Sequence, residues 1–256
     1  MNGVSLTALL PSLDPFLVTI ICGIFLFAGI VKGFLGIGLP AAAMGLLTLI
    51  IPPTEAISLL WLPILFTNIF QFGRAPERRS IVTSYVWFAV PLAASIFLTS
   101  LFINDYPTAL LTVAIGVMMV IFSVNLLFGV TLPVGPGRGW QIGVGMLSGV
   151  LGGLSSIWSP PVAMYLIARN ASKDMFIGTT GFLFLVGCLP LGAGLVISGL
   201  ITWPVIVKSL VGLMMTLTGF RIGEIMRNRV SQEKFRRIVL VAFLIMGVRL
   251  IAVGLI

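Results

Sequence analysis

The chain has 256 residues, of which 59% are hydrophobic and only 9% are charged, whereas a soluble domain carries about 25% charged residues. So few polar residues cannot build a water-facing surface, which excludes a soluble enzyme or regulator and predicts a protein embedded in a lipid bilayer. The apolar runs are continuous, which favours helices over a β-barrel. Short basic loops that orient helices explain the net charge of +8, so no nucleic-acid partner is predicted.

The residue types that usually carry catalysis or metal binding are scarce. The chain has no His, and its two cysteines, Cys22 and Cys188, both lie inside apolar runs, which argues against a metal site, a disulfide or Ser-His catalysis. No nucleophile–base arrangement is visible either. We therefore expect a non-enzyme without a cofactor. Residues 1–14 have no basic n-region, so the first apolar run is expected to be a membrane segment rather than a signal peptide.

Charged residues, prolines and glycines divide the chain into apolar blocks. The blocks run approximately over residues 16–51, 56–72, 81–103, 107–132, 140–168, 175–200, 202–220 and 237–256. A spanning helix needs about 20 residues, so six of the blocks fit one crossing each. Blocks 16–51 and 140–168 are too long and contain Gly and Pro near their middles. Each is predicted to be a broken helix, a re-entrant hairpin or two short crossings.

The distribution of basic residues predicts the topology. The loop 73–80 and the loop 221–237 are rich in Arg and Lys, whereas the loops at 104–106 and 198–202 have none. The positive-inside rule places the two basic loops in the cytoplasm, which requires an even number of crossings in block 140–168. If block 16–51 also crosses the membrane an even number of times, both termini lie outside. The predicted fold is an all-α bundle of two inverted repeats, residues 1–135 and 136–256, each with a broken or re-entrant first segment and three further helices.

A short motif recurs in the two long blocks. Residues 33–36 and 149–152 both read G-x-L-G, and prolines follow at position 40 and at positions 160–161. The shared order and the shared place in an over-long block indicate a duplication.

This layout is similar to that of the TauE/SafE sulfite-exporter family. The resemblance rests on Gly33, Gly36, Gly38, Pro40, Gly149, Gly152, Gly153 and Pro160 or Pro161. It implies a secondary transporter that exports small sulfur-containing anions, such as sulfite, sulfonates or sulfoacetate, across the bacterial inner membrane. The alternatives are an importer of a related organic anion, a channel and a non-transporting membrane subunit. A homo-oligomer also stays open.

The helix breaks are the first candidates for the substrate site. A broken helix frees backbone N–H groups, and the N-terminus of a half-helix carries a partial positive charge that suits an oxyanion. Glycine also lets an anion approach the backbone closely, although close helix packing is the competing interpretation. The site is predicted near the midplane, where the two breaks meet. The candidates at the breaks are Gly36, Ile37, Gly38, Gly152 and Gly153.

Polar side chains near the second break add further candidates. The hydroxyls of Ser155, Ser156 and Ser159 can donate to sulfite or sulfonate oxygens, and Trp158 can line a pocket. The alternatives are hydroxyls that bond to their own helix and a tryptophan at the membrane interface. For Asn68, near the end of the second block, helix–helix hydrogen bonding is the favoured role.

Two basic residues lie inside apolar blocks. Arg249 has no acidic neighbour in the last block, and its guanidinium matches a sulfonate in geometry, although snorkelling to the interface also explains it. Lys32 adjoins Gly33 and either attracts anions or marks a cytoplasmic turn. No carboxylate is clearly mid-membrane, with Glu55 after Pro52 and Pro53 as the one candidate for carrying a coupled proton. We therefore hypothesise export driven wholly or partly by the membrane potential, which is worth about 2.3 kcal/mol per charge and 100 mV.

Overall fold

The computed structural model describes residues 15–130, 134–135, 137–227, 229 and 231–256, and in these ranges it contains ten α-helices and no strand. The helices are α1 (Pro15–Leu35), α2 (Leu39–Leu47), α3 (Pro53–Gly73), α4 (Arg78–Leu101), α5 (Thr108–Phe128), α6 (Arg138–Ser155), α7 (Ser159–Ala168), α8 (Lys173–Ile197), α9 (Trp203–Met226) and α10 (Gln232–Leu255). Seven of them, all except α2, α6 and α7, are long and apolar enough to cross a membrane. The predicted all-α membrane protein is therefore confirmed. The expectation about residues 1–14 lies outside the described residues.

Both over-long blocks contain the predicted break. Between α1 and α2, Gly36 and Gly38 have φ values of +82° and +95°, a conformation that glycine adopts without a steric penalty. Between α6 and α7, Ser156 has a φ of +57°. Prolines lie in the first turn of both α2 and α7, where the missing N–H removes no helical hydrogen bond.

The two halves of the chain interlock rather than form separate cores. The dominant contacts join α1 to α9, α4 to α6, and α5 to α10, while α3 packs on both α8 and α9. Each helix of the first half can be matched to the helix of the same rank in the second half, so that α1 corresponds to α6 and α5 corresponds to α10. The contact between α1 and α9 then corresponds to the contact between α6 and α4. The contacts between α3 and α8 and between α5 and α10 correspond to themselves. Duplicated halves would produce such reciprocal packing. The boundary between residues 135 and 136 stays a prediction, and residues 131–133 and 136 beside it lie outside the described residues.

A proline inside α3 ties this helix to α9. Pro63 has no N–H, so the carbonyl of Leu59 has no partner within α3. The hydroxyl of Ser209 on α9 donates to that carbonyl at 2.7 Å. Buried backbone groups need such partners in a bilayer, so this pair of residues fixes α9 against α3.

Charged side chains mark the two ends of the bundle. At one end, which we call the basic end, Arg74 after α3 pairs with Glu224 near the end of α9 at 2.8 Å. Arg227 donates there to two carbonyls in the last turn of α1. At the opposite end, Lys208 near the start of α9 pairs with Glu55 near the start of α3 at 3.3 Å. Helices α1, α3 and α9 therefore all end at the basic end.

Candidate functional site

A lysine is buried in the last turn of α1. The Lys32 side chain is only 1% exposed, and its Nζ donates a 2.6 Å hydrogen bond to Oδ1 of Asn68 on α3. Among the described residues, no carboxylate oxygen lies within 4.0 Å of this nitrogen. Buried charges are normally paired, because the desolvation of an isolated charge costs several kcal/mol. This ammonium group therefore has a neutral partner but no counter-charge in the described part of the chain.

Asn68 is oriented by its own helix. Its Nδ2 donates to the carbonyl of Ile64, one turn earlier on α3, at 2.7 Å. This bond identifies the other atom of the amide as the oxygen and leaves it free to accept from Lys32. Asn68 and the neighbouring Thr67 are fully buried. A polar face of α3 thus points into the bundle at the level of Lys32.

Helix α8 lies between Lys32 and the second break. The Cys188 thiol is fully buried and lies in the neighbourhood of Lys32. On the next residue, Gly187, a Cβ would lie 3.4 Å from Cε2 of Trp158. The structure therefore brings Lys32 and Trp158, one from each half of the chain, to neighbouring residues of α8.

The second break holds three buried donors without a partner. Ser156 Oγ, Trp158 Nε1 and Ser159 Oγ form no hydrogen bond with any described residue, and each side chain is at most 2% exposed. An unpaired buried polar group costs about 1–3 kcal/mol and is rare in native structures. Pro160 and Pro161 remove two N–H groups from the start of α7. At the second break the unpaired donors are therefore side-chain groups, whereas the sequence predicts backbone N–H groups at a broken helix.

The first break offers backbone donors instead. The N–H groups of Ile37 and Gly38 donate to no carbonyl in the described ranges, and both residues are buried. Gly36 donates its N–H to the carbonyl of Lys32 at 2.7 Å, so it closes α1 and does not present a free donor. Of the three candidates at this break, two have the free N–H groups that an oxyanion needs.

The two breaks contact different turns of α8. A Cβ on Gly36 would lie 3.7 Å from Cγ1 of Ile177 on α8, whereas Trp158 contacts Gly187 on the same helix. These contacts are about 15 Å apart along α8 at 1.5 Å per residue. The prediction that the two backbone breaks meet at the midplane stays a prediction.

Three candidates near the second break have structural contacts. A Cβ on Gly153 would overlap the side chain of Thr99 on α4, and a Cβ on Gly152 would lie 2.8 Å from Cβ of Trp158. The Ser155 hydroxyl donates to the carbonyl of Leu151 at 2.6 Å and accepts from the N–H of Ile157 at 3.1 Å. These contacts match the packing and back-bonding alternatives. A role in substrate binding for these three residues stays a prediction.

Arg249 is not brought to this group of residues. Its side chain is exposed on α10, whereas the adjacent Leu250 is 2% exposed and faces the bundle. No ion pair of Arg249 is present among the described residues. This position fits the snorkelling alternative.

A cavity at the basic end leads toward Lys32. It has a volume of about 130 Å³ and is lined in part by Gly36, Gln71 and Arg227. Gln71 Nε2 donates to the carbonyl of Ile177 at 2.8 Å, while its Oε1 has no partner among the described residues. Gly36 and Gln71 each lie about one helical turn beyond Lys32 and Asn68 on their helices. The cavity therefore ends about one turn from the Lys32–Asn68 pair.

The packing favours a different register for the internal repeat. Gly29 and Gly33 rest on the carbonyls of residues 216 and 220 of α9, and Gly149 and Gly153 rest on those of residues 92 and 96 of α4. Residues 29–40 then match residues 149–160 without a gap. The G-x-L-G pairing of residues 33–36 with 149–152 is therefore shifted by one helical turn.

The new register aligns the two breaks residue by residue. Gly36 corresponds to Ser156, and both have positive φ and donate to the carbonyl four residues earlier at 2.7 Å. Lys32 then corresponds to Gly152, and Gly38 to Trp158. The gapless match was present in the sequence, but the abundance of Gly left the register ambiguous until the packing partners were known.

A comparison with known proteins gives one match. The family model described as "Sulfite exporter TauE/SafE" matches residues 21–250, nearly the whole chain. No curated protein and no solved structure matches the chain. The matched range contains both breaks, Lys32 and the donors of the second break.

Proposed function

Since the chain belongs to the sulfite exporter TauE/SafE family, we propose that it exports small sulfur-containing anions, of the sulfite, sulfonate or sulfoacetate class, across the bacterial inner membrane. The family consists of transporters, which fits the expectation of a non-enzyme, and seven apolar helices fit a multi-pass protein. The observation that carries the proposal is Lys32, a buried cation without a carboxylate partner in the described ranges. A bound anion supplies the missing counter-charge.

The route to Lys32 begins at the basic end, which the positive-inside rule assigns to the cytoplasm. Both termini then lie outside. An anion entering the cavity first meets Arg227, which lines it. It then reaches Lys32 and the free N–H groups of Ile37 and Gly38, one turn deeper.

The second half of the chain provides the other part of the site. Ser156, Trp158 and Ser159 donate to anion oxygens after the anion has passed Cys188 and Gly187 on α8. In this proposal the two halves have inverted topology and exchange access to the anion, as in other transporters built from repeats. Because the interior of the cell is negative, each exported negative charge gains about 2.3 kcal/mol per 100 mV.

The test is sulfite efflux from proteoliposomes that contain the wild-type protein or Lys32→Gln. We expect saturable efflux that increases when a potential, negative inside, is imposed. In Lys32→Gln we expect the apparent affinity for sulfite to fall about 100-fold, because a charge-assisted bond to the anion is lost. Lys208→Gln is the matched control, because Lys208 is half-buried and already paired with Glu55.

Four results separate the alternatives. Equal losses in Lys32→Gln and Lys208→Gln would remove Lys32 from the site. Flux that does not respond to the potential at a fixed concentration gradient would contradict potential-driven export. Non-saturable flux would favour a channel, and no flux of any sulfur anion would favour a non-transporting subunit.

A further inference from the structure

We infer that the Lys32 site selects anions with one negative charge over anions with two, an inference that rests on the proposed function. The relevant chemical difference is that between a sulfonate, R–SO₃⁻, and a dianion of similar size such as sulfate. Both present tetrahedral sulfur and several oxygen acceptors. Only the charge that must be balanced inside the bundle differs substantially. Within the proposed substrate class the inference therefore favours simple sulfonates and hydrogensulfite, HSO₃⁻, and disfavours sulfoacetate and the sulfite dianion, which carry two charges.

The number of buried charges carries the inference. Lys32 is the one Lys, Arg, Asp or Glu side chain among the buried residues that the structure describes. Its surroundings are neutral: the Asn68 amide, the Cys188 thiol and, across α8, the indole of Trp158. Hydrogen-bond donors spread the charge of an anion, but they do not cancel it. One buried ammonium therefore balances one negative charge.

Among the described residues no other Lys or Arg side chain is buried, so none lies beside Lys32 inside the bundle to balance a second charge. Arg227 is committed to the last carbonyls of α1 at 2.5 and 3.0 Å. Arg74 and Arg221 both pair with Glu224, and Lys208 pairs with Glu55 at the opposite end. The side chains nearest to Lys32 along the two breaks are apolar or hydroxyl-bearing. A dianion at Lys32 would keep one uncompensated charge inside the membrane.

The first experiment measures binding to the purified full chain in detergent by calorimetry. Methanesulfonate carries one charge across the working pH range, and sulfate carries two near neutral pH. We expect sulfate to bind about 100-fold more weakly, which corresponds to an unbalanced charge at the centre of a membrane helix. Equal affinities, stronger binding of sulfate, or no binding of methanesulfonate would overturn the inference.

Two variants test whether Lys32 sets the charge preference. Asn68→Asp keeps the shape of Asn68 but places a carboxylate on the ammonium of Lys32, so it should reduce methanesulfonate binding about 100-fold. Lys32→Arg keeps the charge and should keep the preference for methanesulfonate over sulfate. The control is Asn125→Asp on α5, where another amide that is 1% exposed becomes a carboxylate, but where the amide Nδ2 donates to the carbonyl of Val130 and the amide forms no hydrogen bond with Lys32. Unchanged methanesulfonate binding in Asn68→Asp would overturn the inference.

The same variants separate this inference from the proposed function. If methanesulfonate binds selectively but no sulfur anion crosses proteoliposomes, transport fails and the charge selection stands. If sulfite efflux is saturable but sulfate inhibits it as well as methanesulfonate does, transport stands and the charge selection fails.

Discussion

At the first break a lysine lies where the second break has a glycine, and a glycine lies where the second break has a tryptophan. Lys32 of the first break corresponds to Gly152 of the second break, and Gly38 corresponds to Trp158. The backbone around these positions is alike, since Gly36 and Ser156 both have positive φ and make the same 2.7 Å bond. In the second half, Trp158 fills the space beside position 152, where a Cβ would lie 2.8 Å from it.

This difference separates two tasks that an anion site has to perform. The first break supplies a full positive charge and backbone N–H groups. The second supplies neutral side-chain donors, which are three unpaired groups in the described structure. The helix–helix contacts that support the breaks are similar in both halves, because small residues of α1 and α6 rest on carbonyls of α9 and α4. The two breaks therefore differ in their donors and charge while their supporting glycine contacts are alike.

The helix–helix contacts that support the two breaks can be disrupted one at a time, at Gly33 and at Gly149. A methyl group on Gly33 would overlap the carbonyl of Phe220, and a methyl group on Gly149 would overlap Leu92 and Ser95 in the same way. We expect Gly33→Ala and Gly149→Ala each to lower the free energy of unfolding by about 1–3 kcal/mol, because backbone cannot move aside cheaply. The melting temperature in detergent measures this.

The control for both variants is Gly143→Ala on α6, where a Cβ would meet nothing within 4 Å. This substitution should leave the melting temperature unchanged or raise it, since Ala favours a helix interior over Gly by about 1 kcal/mol. A loss for only one of Gly33→Ala and Gly149→Ala would show that the two interfaces are not equivalent.

The chemical difference between the two breaks can be tested by removing one donor of the second break, Nε1 of Trp158. Trp158→Phe keeps an aromatic ring near Phe184, which packs edge-on against Trp158 at 5.7 Å, but removes the unpaired Nε1 donor. We expect anion affinity to fall about tenfold, since a hydrogen bond to a charged group is lost. The empty protein should not lose thermal stability through hydrogen bonding, because that donor has no partner among the described residues.

Binding calorimetry and melting curves on the same preparation give both readouts for Trp158→Phe. A large drop in melting temperature with unchanged anion affinity would assign Trp158 to packing and would leave the second break without a binding role.

The smallest effect is expected far from both breaks, at Arg249. Because its side chain is exposed on α10, Arg249→Ala should leave the affinity for sulfite unchanged in the efflux assay. A loss comparable to that of Lys32→Gln would place the arginine on the anion path, as the sequence had suggested, and would shift the site toward α10.

The sequence alone predicts the membrane class, the helical fold and the position of the breaks, because these follow from composition and from local Gly and Pro signals. It does not predict the Lys32–Asn68 bond, since the two residues are far apart in the chain and only the packing of α1 and α3 on α9 brings them together. Arg249 illustrates the opposite error. An isolated charge in an apolar block indicates function only if its helix turns it inward, and that angle is set by tertiary packing.

The buried thiol beside the site gives the protein an internal reporter. Cys188 is fully buried next to Lys32, and Cys22, the other cysteine of the chain, is half-buried on α1. With Cys22 replaced by serine, any alkylation must occur at Cys188, and reagent can reach it only when the helices around it separate. The alkylation rate, measured with reagents added from either face of the membrane, therefore records how often each side of the bundle opens, without a transported substrate.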